Sequence, residues 1–299
     1  MITFKQLEAL FWISELGTFE RAAAKLSTTQ SAISKRIQEL EAASGMAVFD
    51  RSRRGARLTE RGAHLLAIGG DMLRLRDQIL YLSEAGDIPA RRLRFGVTEL
   101  TALTWLPRFV SDLRSVYPGI DLFPEVDLSS NLYQRLLTET IDLIVIPEVF
   151  SSPRIFSLRL AEVHNSWMAS PDLVRSRRTL ALEELTAFTI LSQGEHSGSG
   201  IYIEQWLKSE GVSFNRVLSS NSLIALVGLA LAGIGVAYLP RQCFQPLVDQ
   251  GKLSIMPTKP LLPPVPYAAM YRNDRKSHFT ATVARHIQNM CDFSHQYQR

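Results

Sequence analysis

Two groups of residues in this 299-residue chain combine types and spacing that can do chemistry. In the first, Thr28, Thr29, Gln30, Ser31, Ser34, Lys35 and Arg36 precede Arg51, Arg53, Arg54, Arg57 and Arg61, five arginines within eleven positions. Gln30 can make a bidentate contact to adenine, and Lys35 and Arg36 can reach guanine or phosphate. Thr28 and Thr29 can hydrogen-bond a nucleic-acid backbone beside a helix N-terminus. From Thr18 to Gly62 nine Lys or Arg stand against five Asp or Glu, whereas the whole chain, with 33 basic and 29 acidic residues, carries a net charge of only +4. A local basic face on a balanced chain is the footprint of a surface that meets phosphate.

The second group comprises Thr98-Glu99-Leu100-Thr101, Ser129-Ser130-Asn131, Glu148 with Val149, Gly198-Ser199-Gly200-Ile201-Tyr202, and Asn221. Hydroxyl, amide and glycine residues of this kind let backbone donors approach a small ligand, and plain loop composition with ordinary helix caps reads equally well for any one of them. Glu99 and Glu148 are the exceptions. A carboxylate in a pocket repels an anion unless it is protonated or turned away, which favours an amine- or hydroxyl-bearing ligand.

Catalytic patterns are missing from the sequence. Gly194-Glu195-His196-Ser197-Gly198-Ser199-Gly200 fits neither G-x-S-x-G nor a phosphate-binding loop, and no H-E-x-x-H occurs. His164, His278, His286 and His295 are scattered, so the expectation is no catalytic residue, no metal and no cofactor. Cys243 and Cys291 are the only cysteines, too far apart for a C-x-x-C pair, and read as two reduced thiols.

The elements that must position these groups follow from periodicity. Hydrophobic residues at 46% and charged residues at 21% describe an ordinary globular chain, too long for one core. No apolar run approaches the roughly 18 residues of a membrane span, and Met1 to Leu10 lacks the marks of a signal peptide, so the cytoplasm is the expected location. Leu7, Leu10, Phe11 and Ile13 predict a first helix from Thr3 to Leu16, ended by Gly17. Thr18 caps a second helix of about two turns carrying Phe19, Ala22, Ala23 and Leu26. Ile33, Ile37 and Leu40 mark a third helix whose other face bears Ser31, Ser34, Lys35 and Gln38. The last two form a helix-turn-helix, a unit whose second helix fits the DNA major groove, although a plain helical hairpin with a solvated face has the same spacing. Val48 to Arg51 and Arg57 to Thr59 then read as two short strands around Arg53-Arg54-Gly55, a basic wing.

Phe19-Glu20-Arg21-Ala22-Ala23-Ala24-Lys25-Leu26, Thr29-Gln30-Ser31-Ala32-Ile33-Ser34-Lys35-Arg36-Ile37, Leu40-Glu41, Phe49, Arg51 and Leu58-Thr59-Glu60-Arg61-Gly62 together resemble the N-terminal winged helix-turn-helix of LysR-type transcriptional regulators. Ser31 stands where that family often has proline. The resemblance implies double-stranded DNA with a dyad operator as partner and residues Thr28 to Ser31, Ala32, Ser34, Lys35, Arg36, Arg51, Arg53 and Arg54 as its contacts. It also implies a small-molecule effector, RNA polymerase as a further partner, and a homodimer or homotetramer.

Residues 59–86 read as a linker helix. Leu65, Met72 and Ile79 repeat at seven residues, with Ile68, Leu75 and Leu82 between them, which predicts self-association along this stripe. Gly86-Asp87-Ile88-Pro89 breaks the helix. Residues 87–299 alternate strands and helices from Arg92-Leu93-Arg94-Phe95-Gly96-Val97 onward, which predicts an α/β region with mostly parallel sheet. In such sheets ligands sit beyond the carboxyl ends of the strands, and this rule selects the loops of the second group. Ile141-Asp142-Leu143-Ile144-Val145 and Val227 to Pro240 are similar to segments of the regulators' effector domain. That domain has the periplasmic-binding-protein fold, two α/β subdomains here expected to cross near 161–168 and 266–271, with the ligand between them. The expected architecture is thus a winged helix-turn-helix over 1–58, a linker helix and an effector domain. A small-molecule binder whose helical head meets another protein is the competing reading, and the basic wing weighs against it.

Overall fold

The structure is a computed structural model that describes residues 1–50, 56–83, 92–174, 178–272 and 277–298. The chain divides into two compact units: Met1–Pro89 with Asn273–Thr282, and Ala90–Arg272 with Val283–Arg299.

The first unit opens with α1 (Phe4–Leu16), α2 (Phe19–Lys25) and α3 (Gln30–Ser44). Caps fix all three. Thr3 and Gln6 form a reciprocal capping box on α1, while the Thr18 and Thr29 hydroxyls accept from the N–H groups of Arg21 and Ala32. Gly17 and Gly45 end α1 and α3 at φ 75° and 69°, a conformation glycine adopts without strain. Leu7, Leu10, Ile13, Ala22, Ile33, Ile37 and Leu40 are buried, as their spacing predicts. Two short strands were expected after α3, and the described part is a single antiparallel bridge, Phe49 to Leu58, with Asp50 N–H donating to the Arg57 carbonyl. Glu41 anchors its start by accepting from the Val48 and Phe49 N–H groups.

A long helix, α4 (Glu60–Ser83), follows. Thr59 caps it by accepting from Gly62 N–H, and its hydroxyl donates to the Ala47 carbonyl. Gly62 is required by space, since a Cβ there would lie 2.1 Å from the Val48 carbonyl oxygen. Gly69 packs against Leu7, Leu73 is buried, and Arg76 pairs with Glu8 at 2.6 Å, so one face of α4 is fused to the helical head. The expected self-association stripe points elsewhere: Ile68, Met72 and Leu75 are exposed and Leu65 is half-buried. The side chains of Ile79 and Leu82 lie outside the described ones.

The second unit contains two lobes. The first holds β1 (Arg92–Val97), α5 (Glu99–Leu103), α6 (Leu106–Val116), β2 (Asp121–Val126), α7 (Ser129–Leu137), β3 (Leu143–Pro147) and β4 (Ile155–Val163). The second holds β5 (Asn165–Ala169), β6 (Leu180–Ala181), a 3₁₀ turn, β7 (Ile190–Ser192), α8 (Gly198–Ser209), β8 (Val217–Ser219), α9 (Leu223–Leu231), β9 (Val236–Pro240), α10 (Arg241–Asp249), β10 (Ser254–Met256) and β11 (Thr258–Lys259). β12 (Val265–Arg272) returns to the first lobe, and α11 (Ser277–Met290) ends the chain's helices. Strand orders are β2-β1-β3-β12-β4 and β10-β5-β9-β7-β8.

Both five-stranded sheets are mixed, not mostly parallel as expected, and only the two-stranded β11-β6 pair is wholly parallel. β1 pairs in parallel with β2 and β3, but β12 runs antiparallel to β3 and β4; in the second sheet β7 is parallel to β8 and β9, while β5 is antiparallel to β9 and β10. The antiparallel pairs arise where the chain changes lobes. It crosses first at His164, between β4 and β5, and returns across 260–264, ahead of the expected 266–271, because β12 already lies in the first sheet. Pro260, Pro263 and Pro264 suit that return to an extended connection, since they have no N–H to give a ladder. In the first lobe Leu132, Tyr133 and Leu136 of α7 pack on Ile144, Ile146, Ala268 and Met270. Asp142 accepts from the Arg94 N–H at 2.9 Å and from its guanidinium at 2.8 Å, tying the start of β3 to β1.

Candidate functional site

The helical head gathers the polar residues singled out from the sequence at the start of α3. Gln30, Ser31 and Lys35 are exposed on the first two turns of α3, with Ala32, Ser34 and Arg36 half-buried beside them. Thr29 is exposed, but its hydroxyl is shared between the Ala32 N–H and Ser31. Thr28 is half-buried, its N–H donating to the Ala23 carbonyl. Arg51, Arg53 and Arg54 lie outside the described residues. Arg57 and Arg61, at the far side of the wing, are exposed and extend the basic surface.

Between the two lobes lies a cleft of about 300 Å³. Of the loop residues singled out from sequence, it brings together Thr98, Glu99, Leu100, Ser129, Ser199 and Asn221. The others lie off it for identifiable reasons. Thr101 faces the core, fully buried; Ser130 donates its N–H to the His196 carbonyl; Asn131 is exposed and bonds Asp127. Glu148 turns away to accept from the Ser157 hydroxyl at 2.6 Å. Gly200 backs onto the Gly194 carbonyl, 2.2 Å from where a Cβ would stand, and Ile201 and Tyr202 belong to the next part of α8. Gly200 instead lines a neighbouring apolar chamber of about 630 Å³, walled mainly by the second lobe, which shares Leu128, Gln193, Ser199, Asn221 and Tyr238 with the cleft.

Sequence reasoning missed Asp127, Asn165, Gln193, Ser197, Tyr238 and Tyr267, all in the cleft wall. Asn165, Tyr238 and Tyr267 sit in strands and look like core residues in sequence; only their polar atoms inside an apolar run could have marked them. Three buried polar atoms in this wall have no hydrogen-bond partner of normal geometry: Thr98 Oγ1, Asn165 Oδ1 and the Tyr238 hydroxyl. Each of these atoms is buried behind the cleft surface, with Tyr238 beside Asn165 and Thr98 beside Tyr267. Burial pushes the Tyr238 and Tyr267 phenols well above the ordinary tyrosine range, which keeps both as neutral donors.

The lobes already touch around this cleft. Ser129 Oγ accepts from Gly198 N–H at 3.0 Å, and Ser130 N–H donates to the His196 carbonyl at 3.1 Å. On another side, Glu99 accepts from the Ser222 hydroxyl at 3.1 Å, from Ile224 N–H at 3.4 Å and from Leu223 N–H. Among the described residues no cluster of three or more His, Cys, Asp or Glu is placed to hold a metal ion, and no helix is long and apolar enough to cross a membrane.

Comparison with known proteins agrees with this two-part arrangement. The sequence model of the bacterial regulatory helix-turn-helix protein, lysR family, matches residues 4–63, and that of the LysR substrate binding domain matches residues 86–292. The chain belongs to the LysR family. Its LysR relatives include the HTH-type transcriptional regulator CzcR of Bacillus anthracis, 26% identical over 83% of this chain and 84% of that protein. Full-length OxyR from Pseudomonas aeruginosa, at 22% identity, covers 96% of this chain and 100% of its own with a TM-score of 0.55. Full-length LysG from Corynebacterium glutamicum, solved with bound effector Arg, covers 96% and 97% at 20% identity with a TM-score of 0.54. These two share the fold. The chain is a LysR-type transcriptional regulator with a helix-turn-helix and an effector-binding domain, in a family of regulators and not of enzymes.

Proposed function

We propose that the inter-lobe cleft is the effector site and that α3 with the wing is the DNA-reading surface, so that a small molecule held between the lobes modulates DNA binding. The observation carrying this reading is the cleft between two lobes joined by two crossings, whose wall draws Thr98, Glu99, Ser129, Ser199 and Asn221 from loops and helix starts and Asn165, Tyr238 and Tyr267 from strands of both lobes. Effector binding closes such lobes further and re-packs contacts between subunits, which shifts the spacing or bend imposed on DNA. Thr98, Glu99, Leu100, Ser129, Ser199 and Asn221 are the effector-facing residues of the original set; Asn165, Gln193, Tyr238 and Tyr267 join them. Among the described residues the cleft wall carries the carboxylates of Glu99 and Asp127 and no lysine or arginine, which supports an amine- or hydroxyl-bearing effector.

On the DNA side Gln30, Ser31 and Lys35 read the major groove, Thr28, Thr29, Ala32, Ser34 and Arg36 flank them, and Arg51, Arg53 and Arg54 meet phosphates. Two such heads, paired through Leu65, Ile68, Met72, Leu75, Ile79 and Leu82 of α4, recognise a dyad operator as a dimer or a dimer of dimers. The reading includes a cytoplasmic location and contact with RNA polymerase.

Fluorescence anisotropy of the protein on DNA flanking its own gene, against scrambled DNA over a salt series, tests it. Tight, steeply salt-dependent binding to the flanking DNA, lost in the Arg53→Ala plus Arg54→Ala variant, is expected. Equal weak binding to both DNAs, unchanged in the double variant, overturns the DNA reading. A metabolite panel with no thermal shift overturns the effector reading.

A further inference from the structure

We infer that Glu99 is a specificity-determining residue of the cleft: its carboxylate occupies the anion-receiving N-terminus of α9 and so excludes carboxylate-bearing effectors. The inference rests on the cleft being the effector site and names the charge class that site admits.

A helix N-terminus presents N–H groups with no partner inside the helix, together with a partial positive charge, and attracts a carboxylate more than any other small group. Two helices of the second lobe turn such ends toward the cleft, and both are occupied from the first lobe. At α8 the Gly198 N–H donates to Ser129 Oγ. At α9 the N–H groups of Leu223 and Ile224 and the Ser222 hydroxyl all donate to Glu99. Glu99 thus makes the bonds that an effector carboxylate would otherwise make. An incoming anion meets an occupied receptor, a second carboxylate at Asp127, and no lysine or arginine among the described residues of the wall to neutralise it.

What the cleft leaves open is complementary. Asn165, Tyr238, Tyr267, Gln193, Ser199 and Asn221 line it with amide, phenol and hydroxyl groups, Asn165 and Tyr238 each 8% exposed. Such a neutral polar wall accepts from and donates to an uncharged or cationic ligand bearing N–H or O–H groups. Thus the residue that closes the anion subsite stands in a wall whose other polar groups carry no positive charge to draw an anion in.

Chemical rescue tests this directly. Thermal unfolding of the full chain is followed for wild type, E99A and E99Q with added sodium propionate, with propionamide, and with sodium chloride at matched ionic strength. Propionate carries the methylene and the carboxylate that E99A removes, with one methyl more. E99A is expected to melt several degrees below wild type and to be raised saturably by propionate but not by propionamide or chloride. Wild type and E99Q, whose subsite remains filled, are expected to show no saturable response. Should E99A not yield folded protein alone, refolding it with propionate or with propionamide gives the same reading, recovery being expected with propionate only. Saturable stabilisation of wild type by propionate, or equal behaviour of E99A with propionate and propionamide, overturns the inference. These outcomes are independent of DNA binding, so failure here is distinct from failure of the regulator reading.

Discussion

Gly62 and Cys243 show how single residues constrain this regulator. Gly62 stands where α4 passes over the start of the wing, and the 2.1 Å separation between a Cβ there and the Val48 carbonyl leaves backbone nowhere to go. Gly62→Ala is expected to destabilise the head by about 1–3 kcal/mol, the usual cost of overpacking, seen as a lowered melting temperature and weakened DNA binding. The motif Leu58-Thr59-Glu60-Arg61-Gly62 was legible as a family signature, and its physical content is now visible: threonine caps the helix and glycine makes room for the strand carbonyl beneath it. The two thiols make a second prediction. Burial pushes both Cys243 and Cys291 up to about 11. Thiolate is the reactive form, so at neutral pH both should react with a disulfide reagent far more slowly than free cysteine, in native protein, and at the ordinary rate in denaturant. Fast labelling of either thiol in the native protein would contradict that burial.

At the scale of elements, α4 carries two faces with different partners. One is consumed by the head through Gly62, Gly69, Leu73 and Arg76, while Ile68, Met72 and Leu75 stay exposed at 48%, 41% and 50%. An apolar stripe of this kind at heptad spacing calls for a second helix. Replacing Met72 and Leu75 with glutamate is expected to convert the oligomer to smaller species by light scattering while the melting temperature of the effector unit stays put; an unchanged mass rules out the stripe as the interface. The helices of the head were readable because 3.6-residue periodicity, threonine caps and Gly17 and Gly45 all coincide at their ends. Several elements of the effector unit were not. β6, β8, β10 and β11 are only two or three residues long, too short for alternation to show, and Pro246 inside α10 hides that helix. The cleft was half legible for a related reason. Loops at strand ends announce themselves by hydroxyls and glycines, whereas Asn165, Tyr238 and Tyr267 reach the cleft from strands that read as apolar core.

For the effector unit as a whole, the lobes are held together where their helix N-termini meet. Gly198 sits at that meeting point, and a Cβ there would stand 2.8 Å from Pro147 and 2.9 Å from Ser129 Oγ. Gly198→Ala is expected to push the lobes apart, raising hydrogen exchange at the amides of Gly198 and Ser130 without changing exchange in β3 or β9. Unchanged protection at those two amides would mean that the lobes are held by other contacts. The fixing of α4 to the head also has a mechanical consequence. A helix of 24 residues at 1.5 Å each is about 36 Å long. With the head fused along Gly62 to Arg76, head and helix turn as one body: a tilt of about 5° about the far end carries the start of α4 through about 3 Å, close to the 3.4 Å step between base pairs. Small rotations arriving at the distal end of α4 are therefore comparable, at the start of that helix, with one base-pair step.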